Sequence, residues 1–381
     1  MQNKPILKIS IFNSIIRTLN LGVYFFLGIH FIDIGLSGTQ IGVLFAAHII
    51  ASLITIFPSG LSTDAMSAKR TAMLSLVLSF IQFFALSSTS SFIVILIAMT
   101  IGGIGKSLYI TSSDSLFYKS SNAENSLKGI AFYQGLGSIA VGIGMFLTGF
   151  TLNLNIDIEK IFLTISLLFL FMAGVAWLIF SDTITTKLKF IHYKKDIFRS
   201  KVIILLISYF IIAIHFGAEQ TSYGLFLKEN LQLSSLGVGS FMGITVIFMG
   251  IMSFIIYKNF KRISPSLLMI LGITLSGLGH IAMAVTPVVP SMIFRMIHEA
   301  GDASIFFFLS YGIIKLFDKE RVGGNSGLFK LMSTSGTAVG ALIFGPFGVK
   351  FGYDYAIIFS GLLTLVALIP LIKFFHLLHH D

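Results

Sequence analysis

His215, Glu219, Ser222 and Tyr223 stand at i, i+4, i+7 and i+8 in a segment that is otherwise almost wholly apolar. Helical spacing puts the four on one face. Arg295, His298, Glu299 and Asp302, at i, i+3, i+4 and i+7, make a second such stripe. Desolvation favours the neutral form of a carboxylate and a nearby cation favours the charged form. A group held between the two can load a proton and release it. Glu219, Asp302 and Glu299, with His215 and His298 beside them, are candidates for such proton-handling groups. Asn13, Arg17, Asn20 and Tyr24 recur at similar spacing in a third apolar segment, and Lys106, with Asp114 further along, and Lys330 sit in two more. Together with Ser222, Tyr223 and Arg295 these residues are expected to face the interior of a helix bundle. Charges in an apolar span cost at least a few kcal/mol, so they face an interior and find partners.

Other chemistries fit less well. His215, Glu219, His298, Glu299 and Asp302 contain metal-ligand types, but the interleaved Arg295 repels a divalent cation, so no metal site is expected. Gly102–Ser107, GGIGKS, echoes a phosphate-binding loop, yet Thr100 stands where the full pattern needs glycine and no strand precedes it. No nucleophile is paired with a base, so no enzyme is expected. No cofactor is implied beyond the coupling proton. The chain has no cysteine, hence no thiol chemistry. His48 and His280 are lone and read as structural. His376, His379 and His380 read as a disordered tail.

The elements that carry these residues are long and greasy. Only 11% of the 381 residues are charged, against about 25% in an ordinary soluble chain, and the mean hydropathy is +0.93. A helix needs roughly 20 apolar residues to cross the hydrocarbon layer, where it satisfies its own backbone. Twelve such stretches are expected, at 9–32, 39–62, 71–89, 91–117, 128–152, 159–181, 201–227, 236–257, 265–286, 289–315, 324–349 and 354–375. The fold class is therefore an all-α membrane protein of twelve transmembrane helices in two six-helix bundles. The bundles are 1–180 and 201–381, with 181–200 as the linker. The first stretch is a retained span, longer than a signal-peptide core.

The net charge of +10 orients the chain rather than binding nucleic acid. Nineteen Lys and Arg fall on the side of the termini and linker, and only Lys160, Lys228 and Lys350 on the other. That bias places both termini in the cytoplasm. A small-molecule substrate and membrane lipid are the expected partners, and the chain is expected to be a monomer of a bacterial inner membrane.

Residues 60–70 read GLSTDAMSAKR, with Gly60, Asp64, Lys69 and Arg70 where the second stretch turns into the third. Gly60 permits close approach of a neighbouring helix, and Asp64 can cap a helix or pair with a cation. With twelve helices, a six-and-six division and a long central linker, the chain resembles the major facilitator superfamily. That family carries G-x-x-x-D-x-x-x-x-[KR]-[KR] in this loop as a conformational latch. The passage 36–60, LSGTQIGVLFAAHIIASLITIFPSG, is similar to the family's as well. The equivalent loop of the second half, YKNFKRIS at 257–264, lacks the glycine and the acid.

The resemblance implies two six-helix bundles rocking about a central cavity lined by helices one, four, seven and ten. Glycines 135, 137, 142, 144 and 149, and 327, 336 and 340 before Gly345-Pro346, are similar to the glycine-rich helices of the bacterial drug/proton antiporter branch. There the Gly-Pro lies on helix five, and here it lies on helix eleven. Glu219 and Asp302 resemble the helix-seven Glu and helix-ten Asp that carry protons in one group of bacterial multidrug exporters. In place of that group's helix-four Arg this chain has Thr100, with Lys106 nearer mid-helix. Export of an organic solute against protons is the leading expectation. Uptake of a small organic acid, clamped by Arg17, Lys106 and Arg295, is the alternative, and a lysolipid or lipid-precursor flippase is a third.

Overall fold

The computed structural model describes residues 4–24, 26–122, 125–187 and 189–372. Lys373 and the three tail histidines lie outside the described residues. Among those residues there are helices and connections and no strands. In chain order the helices are α1 (Lys4–Tyr24), α2 (Leu27–Asp33), α3 (Gly38–Ser62), α4 (Ala68–Ser88), α5 (Phe92–Ser120), α6 (Ser126–Asn153) and α7 (Ile158–Ile179). They continue with α8 (Phe190–Ile197), α9 (Ser200–Ala218), α10 (Ser235–Asn259), α11 (Pro265–Ala282), α12 (Val288–Leu316), α13 (Val322–Phe351) and α14 (Tyr353–Val366).

Ten helical segments among the described residues are long and apolar enough to cross a membrane. One of them, Gly38–Ser88, runs 51 residues because the wide π-helical turn Thr63–Ser67 joins α3 to α4. The 29-residue α12 is not among the ten. It carries Arg295, Glu299 and Asp302 within about two turns, the stripe that makes it functionally suspect.

Local signals set the ends. Ser37 and Gln40 form a reciprocal capping box on α3, and Ser234 and Ser264 cap α10 and α11. Each satisfies an amide that the first helical turn leaves open. The stretch expected as one helix at 9–32 is two, α1 and α2. The expected helix at 201–227 continues α9 through two π-helical turns, Glu219–Tyr223 and Phe226–Asn230. π-helical turns inside helices occur often at functional sites, and this one begins at Glu219. The linker holds a helix that its basic composition hid, α8.

Helices α1–α7 pack on one another, and so do α9–α14, except that α6 and α10 pack chiefly against each other. Two seams join these sets: α6 against α10, and α3 against α13. Both are built on glycine. A side chain at Gly142 would begin 2.5 Å from the Gly243 carbonyl oxygen, and one at Gly243 2.8 Å from that of Gly142. Such seams let backbones touch and slide without side-chain interlock. Large apolar residues such as Ile54, Phe171, Trp177, Leu178 and Leu342 are exposed on the outside of the bundle, as a lipid-facing surface requires.

Candidate functional site

The two acid stripes meet. Glu219, at the π turn after α9, receives the Arg295 guanidinium from α12 in a two-pronged contact. Arg295 Nη2 also lies 2.7 Å from Glu299 Oε1, an ion pair rather than an aligned hydrogen bond. His298 Nε2 is 3.0 Å from Glu219 Oε1. Asp302 accepts a hydrogen bond of 2.7 Å from Ser276 of α11. Its second oxygen faces His298 Nε2 at 3.5 Å and His215 Nε2 at 3.6 Å. His280 of α11 stands 3.7 Å from Glu219 Oε1 and, on its other side, 2.9 Å from Ser360 Oγ of α14. One residue set thus ties α9, α11, α12 and α14 together.

Accessibility divides this set. The Glu219 side chain is 17% exposed, while those of His215, His280, Arg295, His298, Glu299 and Asp302 are at most 4% exposed. Glu219 is the member that water or a solute can reach, and the rest lie behind it. With neutral imidazoles, three carboxylates face one guanidinium, leaving two negative charges uncompensated in a dry interior. Unpaired buried charge is costly enough that a cation must be drawn in. His215, Glu219, His280 and His298 offer four ligand atoms within 4.8 Å of one another, the set here that could hold a metal.

The remaining cavity candidates fall into three situations. Tyr223 is fully buried under Arg295, whose guanidinium carbon lies 4.8 Å from the ring centre. Ser222 is also buried and donates to the Phe344 carbonyl of α13, so both serve packing. Asn13 is buried in the first set, accepting from Tyr109 at 2.9 Å and Ser113 at 3.1 Å. Arg17, Asn20, Tyr24 and Lys106 are half-buried on α1 and α5. Lys106 Nζ lies 5.6 Å from the Tyr24 ring centre, and Arg17 lies across Gly137. Among the described residues neither Arg17 nor Lys106 forms an ion pair. Lys330 does: its Nζ is 3.2 Å from Asp114 Oδ2, which joins α13 to α5 across the two sets. Asp114 also accepts from Tyr133 at 2.9 Å.

At the linker end Asp64 is fully buried. Its carboxylate caps α13 of the opposite set through Gly323 N at 3.1 Å and Gly324 N at 2.7 Å. Lys119 Nζ lies 3.0 Å away, and Tyr193 of α8 donates at 3.1 Å. A carboxylate at a helix N-terminus meets both open amides and the positive end of the helix dipole. Gly60 touches the same helix: a Cβ there would lie 2.6 Å from the Gly323 oxygen. Lys69 and Arg70 do not take part. Lys69 lies over the Trp177 ring, and the exposed Arg70 is 3.9 Å from Asp182. Beside the cap, Asp196 of α8 takes Arg321 at 3.0 Å and Asn325 at 2.9 Å. Partial burial pushes the Asp196 carboxyl up, but those hydrogen bonds and the charges of Arg321 and Arg199 outweigh it and hold its pKa below the ordinary value.

His280, Ser276, Ser360, Lys119, Tyr193, Gly323 and Gly324 are the participants that the sequence did not single out. Ser276 and His280 share a helical face at i, i+4, which was the available signal. The others depend on which helices meet.

The sequence profile of the Major Facilitator Superfamily matches residues 9–258 and, again, 205–380. The chain belongs to the Major Facilitator Superfamily. No curated protein matches it. Among solved structures it is similar to the human organic anion transporter MFSD10 (TETRAN), at TM-score 0.76 and 14% identity over 97% of this chain and 99% of that one. It is also similar to a bacterial homologue of the iron transporter ferroportin in an outward-facing state, at TM-score 0.75 and 14% identity over 97% and 99%. At such identity the likeness is one of fold. This facilitator is thus an integral multi-pass membrane transporter and not an enzyme, and its family works on small molecules generally without a cofactor.

The Asp114–Lys330 pair gives this facilitator a testable contact between its two helix sets. Asp114→Asn and Lys330→Met are each expected to weaken closure at the linker end by about 1–3 kcal/mol, the loss of a charged hydrogen bond. The double variant should lose less than the two singles together, because neither charge is then left alone. Crosslinking yield between cysteines placed on α3 and α13 reads the closure, and strict additivity would show that the pair does not act across the sets.

Proposed function

We propose that this chain is a proton-coupled secondary transporter that moves a small organic solute by alternating access, exporting it in exchange for protons. In this reading the twelve helical passes form two six-helix bundles, 1–180 and 201–381, around one central cavity, with both termini in the cytoplasm of a bacterial cell and a single chain as the working unit. The observation that carries it is the sealed cluster behind Glu219. It needs cationic charge, and only Glu219 touches the accessible side. Protons passed through Glu219 to Asp302 and the histidines meet that need and can leave again when the bundles rock. The joined linker end, held by Asp64 on α13, then corresponds to the closed cytoplasmic gate. Small-residue seams along α6–α10 and α3–α13 are the surfaces over which the bundles move.

Proton-driven uptake of an organic anion is the second reading. It is favoured by Arg17 and Lys106, two half-buried cations without an acidic partner among the described residues, which a carboxylate would pair with. MFSD10 is described as an organic anion transporter, which adds to this reading as an analogy of fold. Arg295, held by Glu219 and Glu299, is not free to be a third clamp. A flippase for lysolipids is the remaining alternative.

The deciding experiment first screens the purified protein for stabilisation by cationic drugs, organic acids and lysolipids at pH about 5.5 and about 8, the span in which desolvated carboxylates and histidines titrate. The best solute of the screen is then followed in sealed vesicles, with a chelator present, under an imposed pH gradient. Export coupling predicts tighter binding at the higher pH and solute movement opposite to the protons; symport predicts the reverse on both counts. Binding and flux that ignore pH would refute proton coupling.

A further inference from the structure

The three histidines of the cluster are fixed in one tautomer each, and the choice is not arbitrary. His215 Nδ1 lies 2.5 Å from the Ile212 carbonyl and His298 Nδ1 lies 2.8 Å from the Ser276 carbonyl. A carbonyl only accepts, so both Nδ1 atoms carry the hydrogen. His280 Nε2 lies 2.9 Å from Ser360 Oγ, whose own hydrogen goes to the Ile357 carbonyl. His280 Nε2 is therefore the donor there. In the neutral state His215 Nε2, His298 Nε2 and His280 Nδ1 are left as bare lone pairs. All three point inward, toward Glu219 and Asp302. The rings pack edge to face with centres 4.8–5.2 Å apart. His215 Nε2 and His280 Nδ1, on fully buried side chains, have no hydrogen-bond partner at all.

Lone pairs converging on carboxylate oxygens call for a cation between them. From this we infer that His215, His280, His298 and Glu219 form a binding site for one divalent transition-metal ion of the zinc type. Three imidazole nitrogens and a carboxylate oxygen are a borderline donor set that suits such an ion and not magnesium or calcium. The outer nitrogen of every ring is held by a carbonyl or hydroxyl oxygen, the support that metal-binding imidazoles use to fix tautomer and aim. Charge agrees. Arg295 and Glu299 offset each other, and the two charges of Glu219 and Asp302 match one divalent ion. Arg295, whose position in sequence argues against a metal, contacts both oxygens of Glu219, including the Oε1 that faces His298 and His280, so an ion takes Oε1 only as Arg295 shifts onto Oε2 and Glu299. Bonds of about 2.0–2.1 Å require the four ligand atoms, now within 4.8 Å, to draw in by roughly an ångström. Side-chain torsions of Glu219 and the rings can supply that. The site stands whether or not protons drive transport.

The test uses the full chain, purified in chelator and then freed of it, titrated with Co2+ at constant pH and read by the visible absorption of the bound ion, with Zn2+ added last to displace it. Because His376, His379 and His380 offer a separate weak site, a chain with these three changed to Gln is titrated alongside. The expected result in both is one saturable, Zn2+-displaceable equivalent with the intense absorption of four-coordinate cobalt. His215→Gln and His280→Gln should each weaken it at least about tenfold, and Ser360→Ala, which removes only the support of His280, by about tenfold. Ser360→Ala also keeps the question open to measurement should the histidine variants fail to fold. Absence of the saturable equivalent from the tail-substituted chain would overturn the inference, as would an equivalent that all three cluster variants retain. Since the flux assay above is run in chelator, neither outcome bears on proton coupling.

Discussion

Glu219→Gln and Asp302→Asn are each expected to abolish net solute movement driven by a pH gradient while leaving solute binding intact at one pH extreme. Both substitutions keep shape and remove charge, so each imitates a permanently protonated acid. Their consequences differ in place. Glu219 is the least buried member of the cluster and the main partner of Arg295. Its loss blocks the path and leaves Arg295 with Glu299 alone. Asp302 lies deeper, between Ser276, His298 and His215. Its loss removes the acceptor at the end of the path. Solute-for-solute exchange, which needs no net proton movement, should survive in both. His215→Ala should displace the pH optimum without abolishing transport, since His215 faces Asp302 without a closer hydrogen bond. Flux in reconstituted vesicles decides it: variants that still concentrate solute against its gradient would make these carboxylates structural.

The second large effect belongs to the linker end. Asp64→Asn removes a fully buried charge and strands Lys119, whose side chain is 3% exposed. Breaking a buried pair in this way costs about 3–5 kcal/mol. Only the shape in which α13 meets Asp64 bears the full loss, so the conformational balance shifts far more than the stability of the fold. Gly60→Leu acts on the same shape by contact with the Gly323 backbone, at about 1–3 kcal/mol for overpacking. At about 1.4 kcal/mol per tenfold, the first change moves the balance by about two to four orders of magnitude and the second by about one to two. Asp64→Asn combined with Lys119→Met should recover part of the loss, because no charge is then left unpaired. Crosslinking between cysteines on the α3–α4 turn and the start of α13 measures the closed population. Wild-type yields in both single variants would remove the latch from the account.

Much of this arrangement was legible in the sequence because one environment writes simple patterns. Spans announce themselves by length and hydropathy, and a charged stripe on a span must face protein. Hence Glu219, Arg295, His298, Glu299 and Asp302 could be grouped before any geometry was known. What the sequence could not supply was which stripe meets which helix. His280 reads as lone in the sequence because no other ionisable residue lies on α11, yet α11 packs against α12 and His280 stands 3.7 Å from Glu219. The sequence allows Asp64 to cap a helix or pair with a cation, but it does not say that the cation is Lys119, 55 positions away. Short α8 was hidden by its lysines, and the π turn at Glu219 by the absence of any residue that marks such turns. The i, i+4 spacing of Arg295 and Glu299 lets that pair be read from sequence, but the second partner, Glu219 of another helix, depends on which helices meet.

The account centres on a cluster that senses protons and a gate that answers. That link can be measured without knowing the solute. The chain has no cysteine, so spin labels at Met66→Cys and Glu320→Cys, exposed positions on either side of the joined linker end, report one distance. In chelator, its distribution should change between short and long populations as pH moves from about 5.5 to about 8. The same labels in the Glu219→Gln, Asp302→Asn double variant should show a distribution that no longer responds. A wild-type distribution that is flat with pH, or a double variant that still follows pH as the wild type does, would contradict the coupling of this cluster to the gate.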